Sequence, residues 1–568
     1  MKLLAASVGL LLGLAAAEGT GNHPDWPRWC GKSYLPQFPS FDPGGQTLEP
    51  AVLPGGPALD VRLKPRYSIY LESESRAEFV VHADISKWRG QPWPDLDTPD
   101  RAPALHFEIS LASGGGALVT DKLVVGSKSN VFAFSLARVQ PSLSPYKVTL
   151  VGTSQDGSSN VTATTELFLL PEKMTGSVTR LDNLNGGMLF RSRATGGKFE
   201  SFMPYGFYAS CDNFLCDRDN LSKIKAYRDL GFNSMVSLTT IFDSRPAYEH
   251  LDKLDLRFMY DLRSYYKNLT AVRQQVSAIK DFDAIYSYWG SDEPDGHQDP
   301  FNLVVEARDA IRNIDPYHPV SVTLNCQNYY FKEYSAGADF IMEDAYPIGI
   351  NSTFSKWSTP CSPSYGDCGC DNCQGGVQDV ARRLDHLAQY EIWLGLWPKT
   401  KAHNPQSFHG EGYWSRDPTE GEAVAMSALA LNHGAKAIAS WVWPTSPALA
   451  QVHGRFARAV ANEPVRSMVT ERRANRVRVE GAESVDVAYW TVEDGQQVLV
   501  TVVNGGPEPV NGLVTVPLPA PVVPWTKDSV IWGNGTWTLG DDKVQLAGVA
   551  AMSTNMVLLR AGGDWHEI

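Results

Sequence analysis

The sequence predicts a multidomain fold, α/β plus all-β, in which a central (β/α)8 (TIM) barrel is flanked by an N-terminal and a C-terminal β-sandwich. The chain has 568 residues, which is enough for several domains. Short runs of alternating apolar and polar residues near both ends are typical of sandwich strands. Between them, strand-like apolar runs alternate with helical stretches in the order and over the length of a barrel.

The first residues indicate an exported protein. Met1 and Lys2 precede an apolar run from Leu3 to Ala17, which is the pattern of a cleaved signal peptide. We therefore expect residues 1–17 to be removed and the mature protein to be secreted and extracellular. Residues 18–64 are rich in Pro and Gly, show little periodicity and are predicted to form an irregular lead-in.

The remaining chain divides into three predicted domains. The N-terminal sandwich is expected over 65–180, the barrel over 195–465 and the C-terminal sandwich over 470–562. An open doubly wound sheet would also alternate strands with helices, but no Gly-x-Gly-x-x-Gly turn follows the first strand. The eight predicted barrel strands are 202–208, 234–238, 258–261, 284–289, 320–324, 340–344, 392–396 and 437–443.

Composition narrows the classes of partner. The formal net charge is −13 and Lys and Arg form no cluster, which argues against a nucleic-acid partner. No later run approaches ~18 apolar residues, so no membrane span is predicted. No P-loop or Gly-x-Ser-x-Gly motif occurs, and no cofactor is predicted. The aromatic content of 11% fits either stacking on sugar rings or a large apolar core.

Cysteines and glycosylation motifs agree with export. The eight cysteines are an even number, and in an oxidising compartment we expect disulfides. Zinc is the alternative for the cluster at 361–373, but only its last two cysteines have the C-x-x-C spacing, so no metal site is predicted. The disulfide candidates are Cys211, Cys216, Cys361, Cys368, Cys370 and Cys373, in addition to Cys30 and Cys326. Glycosylation motifs lie at Asn160, Asn220, Asn268, Asn351 and Asn534.

The strongest motif is Ser291-Asp292-Glu293-Pro294 at the end of the fourth predicted strand. Aromatic residues precede an acidic pair at the end of a strand, which is where a barrel carries its active site. The motif resembles that of barrel glycoside hydrolases, especially the clan whose general acid/base is the Glu of an Asn-Glu-Pro tripeptide after strand 4. The resemblance covers the barrel and implies that Glu293 is the proton donor, with Asp292 in place of the usual Asn.

The seventh predicted strand departs from that clan, whose nucleophilic Glu lies at the end of strand 7. Here residues 393–399 contain no carboxylate, and Glu411 lies well into the following loop, which makes it a weak substitute. Glycoside hydrolysis pairs a protonated acid with a second carboxylate. Asp344, at the end of the sixth predicted strand, is the leading candidate, and Asp261 is the next.

Two alternatives stay open. The adjacent Asp292 and Glu293 also resemble the acidic pair of hexosaminidases that use the 2-acetamido group of the substrate as nucleophile. In those enzymes the Glu is the acid and the Asp orients the acetamido group. The other alternative is a non-catalytic carbohydrate-binding or wall-associated protein with an inactive barrel, because the strand-7 Glu is missing. An acidic pair also caps helices, which would be a purely structural role.

A pocket for a polyhydroxylated ligand is predicted at the strand ends, where carboxylates, amides and aromatic residues occur together. A carbohydrate is therefore the expected partner, and the sequence does not fix the oligomeric state. The candidate substrate-binding residues are Tyr205, Tyr208, Asp261, Trp289, Asn325, Tyr346, Trp397, Lys399, Gln406, Trp441 and Trp443.

Overall fold

A computed structural model describes residues 21–94, 96, 103–492, 495–519, 525–540 and 542–562. The predicted signal peptide at 1–17 and the first residues of the predicted lead-in lie outside the described residues. Across the part of the chain that is described, no helix combines the length and the apolar character needed to cross a membrane.

The N-terminal sandwich consists of two antiparallel sheets. One contains Ala58–Pro65, Arg76–Ser86 and Asn130–Ser135, and the other contains Asn160–Leu167, Tyr146–Ser154, Ala104–Leu111 and Ala117–Val124, each in that order. Alternate residues of each sheet face a shared core, as expected for sheets with one buried face. The first strand begins inside the predicted lead-in, because Leu59, Val61 and Leu63 point into this core.

Short strands connect the sandwich to the barrel and tie down the chain before it. Those outside the two main sheets are Arg28–Trp29 with Lys32–Ser33, Tyr70–Leu71 with Leu169–Leu170, and a sheet of Val178–Leu181, Met188–Arg191 and Glu200–Phe202. The last of these sheets precedes the first barrel strand directly.

Eight parallel strands form a closed barrel, which confirms the predicted fold class. Consecutive strands pair in order, and the eighth pairs with the first. The strands are β1 (Tyr205–Ser210), β2 (Ser234–Leu238), β3 (Arg257–Asp261), β4 (Ile285–Asp292), β5 (Val320–Leu324), β6 (Phe340–Glu343), β7 (Thr400–His403) and β8 (Ala435–Trp443).

Helices follow the strands and cover the barrel. A distorted turn, Cys211–Leu215, lies between β1 and the first helix. The helices are α1 (Ser222–Asp229), α2 (Ile241–Leu254), α3 (Leu269–Ile279), α4 (Pro294–His297), α5 (Phe301–Arg312), α6 (Phe331–Ser335), α7 (Gln378–Leu394), α8 (Glu420–Asn432), α9 (Pro447–Val460) and α10 (Val465–Glu471).

The seventh strand lies later in the chain than predicted. The prediction of a strand at 392–396 is wrong, because α7 continues to Leu394. The helix ends at Gly395, whose φ of 69° is the left-handed conformation that commonly terminates helices. The apolar run that suggested a strand is therefore the last turn of an amphipathic helix.

The true β7 is polar, which is why its hydrophobic pattern is weak. Ala402 is its one apolar residue. Lys401 pairs with Glu391 at 2.7 Å, and His403 Nδ1 pairs with Glu343. Lys401 and His403 each have a buried partner on a neighbouring element, so this short strand needs no apolar run.

The C-terminal sandwich also has two antiparallel sheets. One has the order Asn475–Val477, Val485–Thr491, Gln497–Asn504, Ser553–Ala561 and Trp525–Trp532, and the other Val514–Pro517, Lys543–Ala547 and Thr536–Leu539. Helix α8 is buried along nearly its whole length and lies between the barrel and the larger sheet. The sandwich is therefore docked on the barrel through this helix.

The eight cysteines form four disulfides, Cys30–Cys326, Cys211–Cys216, Cys361–Cys368 and Cys370–Cys373. Three of them close short loops in the barrel domain. The first joins the predicted lead-in to the segment after β5, although these cysteines are 296 residues apart in sequence.

Candidate active site

The carboxyl ends of the barrel strands surround a cleft of about 300 Å³. This is the end at which barrel enzymes carry their active sites. Almost every strand contributes to it. In chain order the contributors include Tyr208 on β1, Arg263 after β3, Asp292 and Glu293 at the end of β4, Asn325 after β5, Asp344 after β6, Asn404 after β7 and Trp441 on β8.

Glu293 and Asp344 both line the cleft, and their carboxyl groups are close enough to interact directly. Burial, followed by the charges of Asp344 and Asp292, raises the pKa of Glu293 well above its usual range. Burial also raises the pKa of Asp344, although hydrogen bonds from Glu293 and Asn325 oppose this. Glu293 therefore keeps its proton to a higher pH than Asp344. An acid and an ionised partner are thereby set side by side.

Asp292 lines the cleft beside Glu293 and is paired with Arg263, whose Nη1 lies 3.6 Å from Asp292 Oδ2. Burial raises the pKa of Asp292 against the opposing charge of Arg263. Asp261 is absent from the lining and instead holds the Arg263 guanidinium, with Nε 3.2 Å from Oδ2. The prediction that Asp261 binds substrate is therefore corrected, because this carboxylate is taken up in positioning Arg263.

Asn404 occupies the end of β7 and is fully buried. Its Nδ2 donates to Tyr208 Oη at 3.0 Å, and Trp289 Nε1 donates to the neighbouring Thr323 Oγ1 at 2.9 Å. Asn404 Oδ1 has no hydrogen-bond partner among the described residues, although the residue lines the cleft. A buried acceptor without a donor is costly, and a donor on a ligand would satisfy it.

Aromatic rings supply the apolar part of the cleft. Tyr208 meets Trp289 and Trp441 with ring centroids 4.7 and 5.1 Å apart. Trp414 Nε1 donates to the backbone oxygen of Tyr346 at 2.9 Å and so fixes two more rings. The predicted residues that line the cleft are Tyr208, Trp289, Asn325, Tyr346 and Trp441, and substrate binding by them stays a prediction.

Two predicted residues lie in the core and a third, Trp443, packs against it; none of the three is part of the cleft lining. Tyr205 is buried behind β1, where its Oη lies 2.9 Å from His453 Nδ1. Trp443 packs among aromatic rings of β1 and α1. Gln406 is fully buried, and its amide pairs with the backbone N–H and oxygen of Ile348 at 2.9 Å each. The predictions that Tyr205 and Gln406 bind substrate are wrong, because both side chains are held in the core. Substrate binding by the half-buried Trp443 stays a prediction.

Trp397 and Lys399 lie at the opposite end of the barrel, because they precede β7. Trp397 Nε1 donates to the backbone oxygen of Asn183 at 3.0 Å. Lys399 Nζ donates to the backbone oxygen of Ala338, just before β6, at 2.6 Å. The prediction that they bind substrate is wrong and follows directly from the misplaced seventh strand.

Several cleft residues had no sequence motif to indicate them. Trp29 comes from the predicted lead-in, and Asp367 comes from the loop between β6 and α7. Glu411 is exposed and also lines the cleft. Arg263 and Asn404 closely follow β3 and β7, so they could have been predicted from their position after a strand if the strands had been placed correctly. The residues of this kind are Trp29, Arg263, Thr323, Asp367, Asn404, Phe408, Tyr413 and Trp414.

No three His, Cys, Asp or Glu side chains in the described ranges are grouped so that they could hold a metal ion. No protein-family model matches the sequence, and no curated protein matches it.

Three solved structures with similarity to this chain are glycoside hydrolases. The β-glucuronidase of Bifidobacterium dentium, complexed with coumarin-3-O-glucuronide, shows 12% identity and a TM-score of 0.32 over 68% of this chain and 60% of its own. The GH2 β-galacturonidase of Eisenbergiella tayi, bound to galacturonate, shows 13% identity and a TM-score of 0.35 over 71% and 73%. The α-galactosidase of Saccharomyces cerevisiae with raffinose shows 10% identity and a TM-score of 0.41 over 63% and 98%.

This chain thus spans 60% of the length of the Bifidobacterium enzyme. Likeness at 10–13% identity concerns the fold alone.

Proposed function

We propose that this protein is a glycoside hydrolase that cleaves glycosidic bonds of an extracellular oligo- or polysaccharide by carboxylate acid and base catalysis. The observation that carries the proposal is the pair of Glu293 and Asp344, two buried carboxyl groups that interact directly after β4 and β6. One carboxyl group keeps its proton and the other is ionised, which is the pairing that glycoside hydrolysis uses.

In the proposed reaction, Glu293 gives its proton to the glycosidic oxygen as the bond from that oxygen to the anomeric carbon breaks. The Asp344 carboxylate attacks the anomeric carbon and forms a glycosyl ester. Water then cleaves the ester while the Glu293 carboxylate accepts a proton from that water. We favour this retaining course because the carboxyl groups of Glu293 and Asp344 interact directly, whereas inverting enzymes hold theirs roughly 6.5–9.5 Å apart to leave room for a water.

The sugar ring is expected to lie between the two carboxyl groups and the aromatic rings. Trp289 and Trp441 offer apolar faces to the ring, as aromatic residues commonly do for flat apolar surfaces. Asn404 Oδ1 is an acceptor for a sugar hydroxyl or N–H donor. These contacts would orient the anomeric carbon toward Asp344.

A second candidate is a substrate-assisted hexosaminidase, and the position of Asp292 in the cleft beside Glu293 favours it. Asp292 would orient a 2-acetamido group, whose carbonyl oxygen would attack the anomeric carbon in place of Asp344. This course requires a 2-acetamido sugar, whereas the two-carboxylate course does not.

The test is product release from a panel of plant, fungal and bacterial glycans that includes 2-acetamido sugars. Glu293→Gln is expected to lower kcat about 10³-fold, because the amide cannot act as the acid. The matched control is Glu306→Gln, which alters an exposed Glu on α5 and is expected to keep the wild-type rate. Asp344→Asn abolishes release in the two-carboxylate course, and Asp292→Asn does so in the substrate-assisted course.

The outcomes separate the candidates. A first-formed product that keeps the anomeric configuration, read by NMR, supports both double-displacement courses over inversion, and the effects of Asp344→Asn and Asp292→Asn then separate the two. Release that survives Glu293→Gln contradicts the assignment of the acid. Binding of a glycan by a wild-type protein that releases nothing supports a non-catalytic carbohydrate-binding protein.

We also propose that the protein is secreted and N-glycosylated, as the signal-peptide pattern suggests. The four disulfides and the exposed positions of Asn160, Asn220, Asn268, Asn351 and Asn534 support this. Protein collected from the medium of its natural host should begin after residue 17 and lose mass on enzymatic deglycosylation. Retention of residues 1–17 would contradict the proposal.

A further inference from the structure

Residues 21–47, here named the N-terminal strap, cross the mouth of the barrel and contact the loops after β4 and β5. Gln298, after β4, donates from Nε2 to the backbone oxygen of Arg28 at 3.0 Å. Cys30 is bonded to Cys326 after β5. Thr47 N donates to the backbone oxygen of Asn328 in the same loop at 2.7 Å. The strap therefore holds together the two loops that follow Glu293 and Asn325.

The strap also contacts the long loop between β6 and α7. Lys32 forms a buried ion pair with Asp371, and Gly366 N donates to the backbone oxygen of Ser33 at 2.9 Å. Asp371 and its neighbours form part of the cleft lining. Three loops of the candidate active site are thus joined by a segment that precedes the barrel by more than a hundred residues.

Trp29 is the residue of the strap that reaches the cleft. Its Nε1 donates to Asn325 Oδ1 at 2.8 Å, and Asn325 Nδ2 donates to Asp344 Oδ1 at 3.3 Å. The indole packs against Gly296, where a Cβ would lie 2.4 Å from the ring, and against the edge of His297 at 5.0 Å between centroids. The indole is therefore wedged against α4, just after Glu293.

We propose that Trp29 is a positioning residue of the active site, which fixes the amide of Asn325 so that Asn325 presents its N–H to Asp344. The inference rests on the proposed function, because it assigns Asp344 a reacting role. The side-chain amide of Asn can adopt two orientations, which exchange its carbonyl oxygen, an acceptor, with its NH2 group, a donor. The indole N–H can only donate a hydrogen bond. It therefore favours the orientation in which the acceptor Asn325 Oδ1 faces Trp29 and the donor Nδ2 faces Asp344.

The experiment compares Trp29→Phe with Trp26→Phe. Phe keeps an aromatic ring at position 29 but has no N–H donor. Trp26 is the matched control because it lies on the same strap, packs on Phe38 and Phe41 and is not part of the cleft lining. Trp29→Phe is expected to lower kcat about tenfold with little change in KM, because a misplaced reacting group slows the chemical step. Trp26→Phe is expected to keep the wild-type kcat.

A double-mutant cycle separates positioning from a general loss of structure. If Trp29 acts through Asn325, the double variant Trp29→Phe/Asn325→Ala is no slower than Asn325→Ala alone. Effects on kcat that multiply in the double variant, or a Trp29→Phe variant with the kcat of Trp26→Phe, would overturn the proposal.

A readout without activity keeps the inference distinct from the proposed function. The N–H of Asn325 stabilises ionised Asp344, so its loss raises the pKa of Asp344 further. The melting temperature of Trp29→Phe should then fall further below that of wild type as the pH rises from 4 to 8. This widening should vanish in an Asp344→Asn background. If the difference in melting temperature grows with pH in a protein that hydrolyses no glycan, the proposed function fails and the positioning role of Trp29 stands. If the difference does not grow with pH, the positioning role is refuted.

Discussion

Glu293 is held in a backbone conformation that few side chains adopt. Its φ is 44°, in the left-handed region that favours glycine. Residues in such conformations cluster at functional sites, where the surrounding structure enforces a side-chain direction that a relaxed backbone does not provide. Pro294 begins α4 directly after it, and His297 N donates to the Glu293 backbone oxygen at 3.0 Å. The rigid turn therefore fixes the direction of the carboxyl group.

The charge states of the acidic pair predict a pH profile. The proposed hydrolysis needs ionised Asp344 and protonated Glu293, and burial raises the pKa of both groups. Activity should fall at low pH as Asp344 gains a proton, at a pH above that of an ordinary Asp. It should fall at high pH as Glu293 loses its proton, well above the ordinary range of Glu.

The measurement is kcat/KM against pH, which reports the groups of the free enzyme. Asp344 and Glu293 interact directly, so the two limbs belong to the pair. A profile with its acid limb at the pKa of an exposed Asp would contradict the burial of Asp344.

Asn404 predicts a hydrogen bond that forms only with substrate. Its Oδ1 is buried and unpartnered in the described structure. Asn404→Leu is expected to lower kcat/KM about tenfold, because the substrate loses one neutral hydrogen bond and a sugar donor is left buried without an acceptor. A deoxy analogue that lacks the contacted hydroxyl should be hydrolysed equally by both proteins. Equal loss of activity toward the analogue and the full substrate would contradict the contact.

Among the elements, the loops after the strands supply much of the cleft lining, and Glu293 and Asp344 come directly after β4 and β6. The loop between β6 and α7 contains two disulfides and supplies Asp367 to the lining. Asp367 Oδ2 accepts a hydrogen bond from Trp357 Nε1 at 2.6 Å, so the loop is also braced internally. Loops of this kind alter binding more than chemistry, because Glu293 and Asp344 are fixed by strand ends.

Removal of the Cys361–Cys368 disulfide by double replacement with Ser tests this division. KM should rise several-fold and kcat should change little, because the loop wall loosens while the acidic pair stays in place. The melting temperature should fall less than for the matching Cys30/Cys326 double variant. The reason is that the loop closed by Cys361–Cys368 spans 7 residues and the other spans 296, and the entropy of closure grows with loop length. A large loss of kcat with unchanged KM would contradict the division.

At the scale of the whole molecule, the C-terminal sandwich is attached to the barrel by a charged contact at the end of α8. His433 Nδ1 lies 2.8 Å from Asp385 on α7, and His433 Nε2 lies 2.9 Å from Asp486 of the sandwich. Asn432 Nδ2 donates to Asp486 at 2.6 Å. Burial opposes a charge on His433, but the two carboxylates outweigh it and raise the pKa of the imidazole to about 9.

This contact predicts stability that depends on pH. His433 is protonated in the folded protein up to a pH of about 9, so its stabilising effect is complete below about 6.5 and is lost as the pH rises through about 9. The shift corresponds to at most about 3 kcal/mol, and the Arg476 guanidinium, whose Nη1 lies 2.7 Å from His433 Nδ1, lowers this figure. Urea unfolding at pH 6 and pH 9.5 should show this loss in wild type and not in His433→Asn. The control is His409→Asn, which removes an exposed histidine paired with Asp417 and should keep the wild-type pH dependence.

The sequence by itself determined the kind of each domain and the position of the acidic pair Asp292 and Glu293. Periodicity sets element type, so alternating runs predicted both sandwiches and the strand–helix order predicted the barrel. The Asp292-Glu293-Pro294 motif at the end of a strand then located the cleft, because parallel strands of a barrel bring all their carboxyl ends together. Tyr208, Trp289, Asn325 and Asp344 could be placed near it by the same rule.

Only the tertiary structure decided those features that depend on contacts between residues far apart in the sequence. β7 is a strand because Lys401 and His403 find buried partners on α7 and β6, which no local pattern shows. Trp29 enters the cleft because Cys30 meets Cys326, a pairing that spacing does not specify. Glu293 and Asp344 are 51 positions apart, and only closure of the barrel brings their carboxyl groups into contact. Local sequence fixes the type of an element, whereas contacts between elements follow from how they pack together.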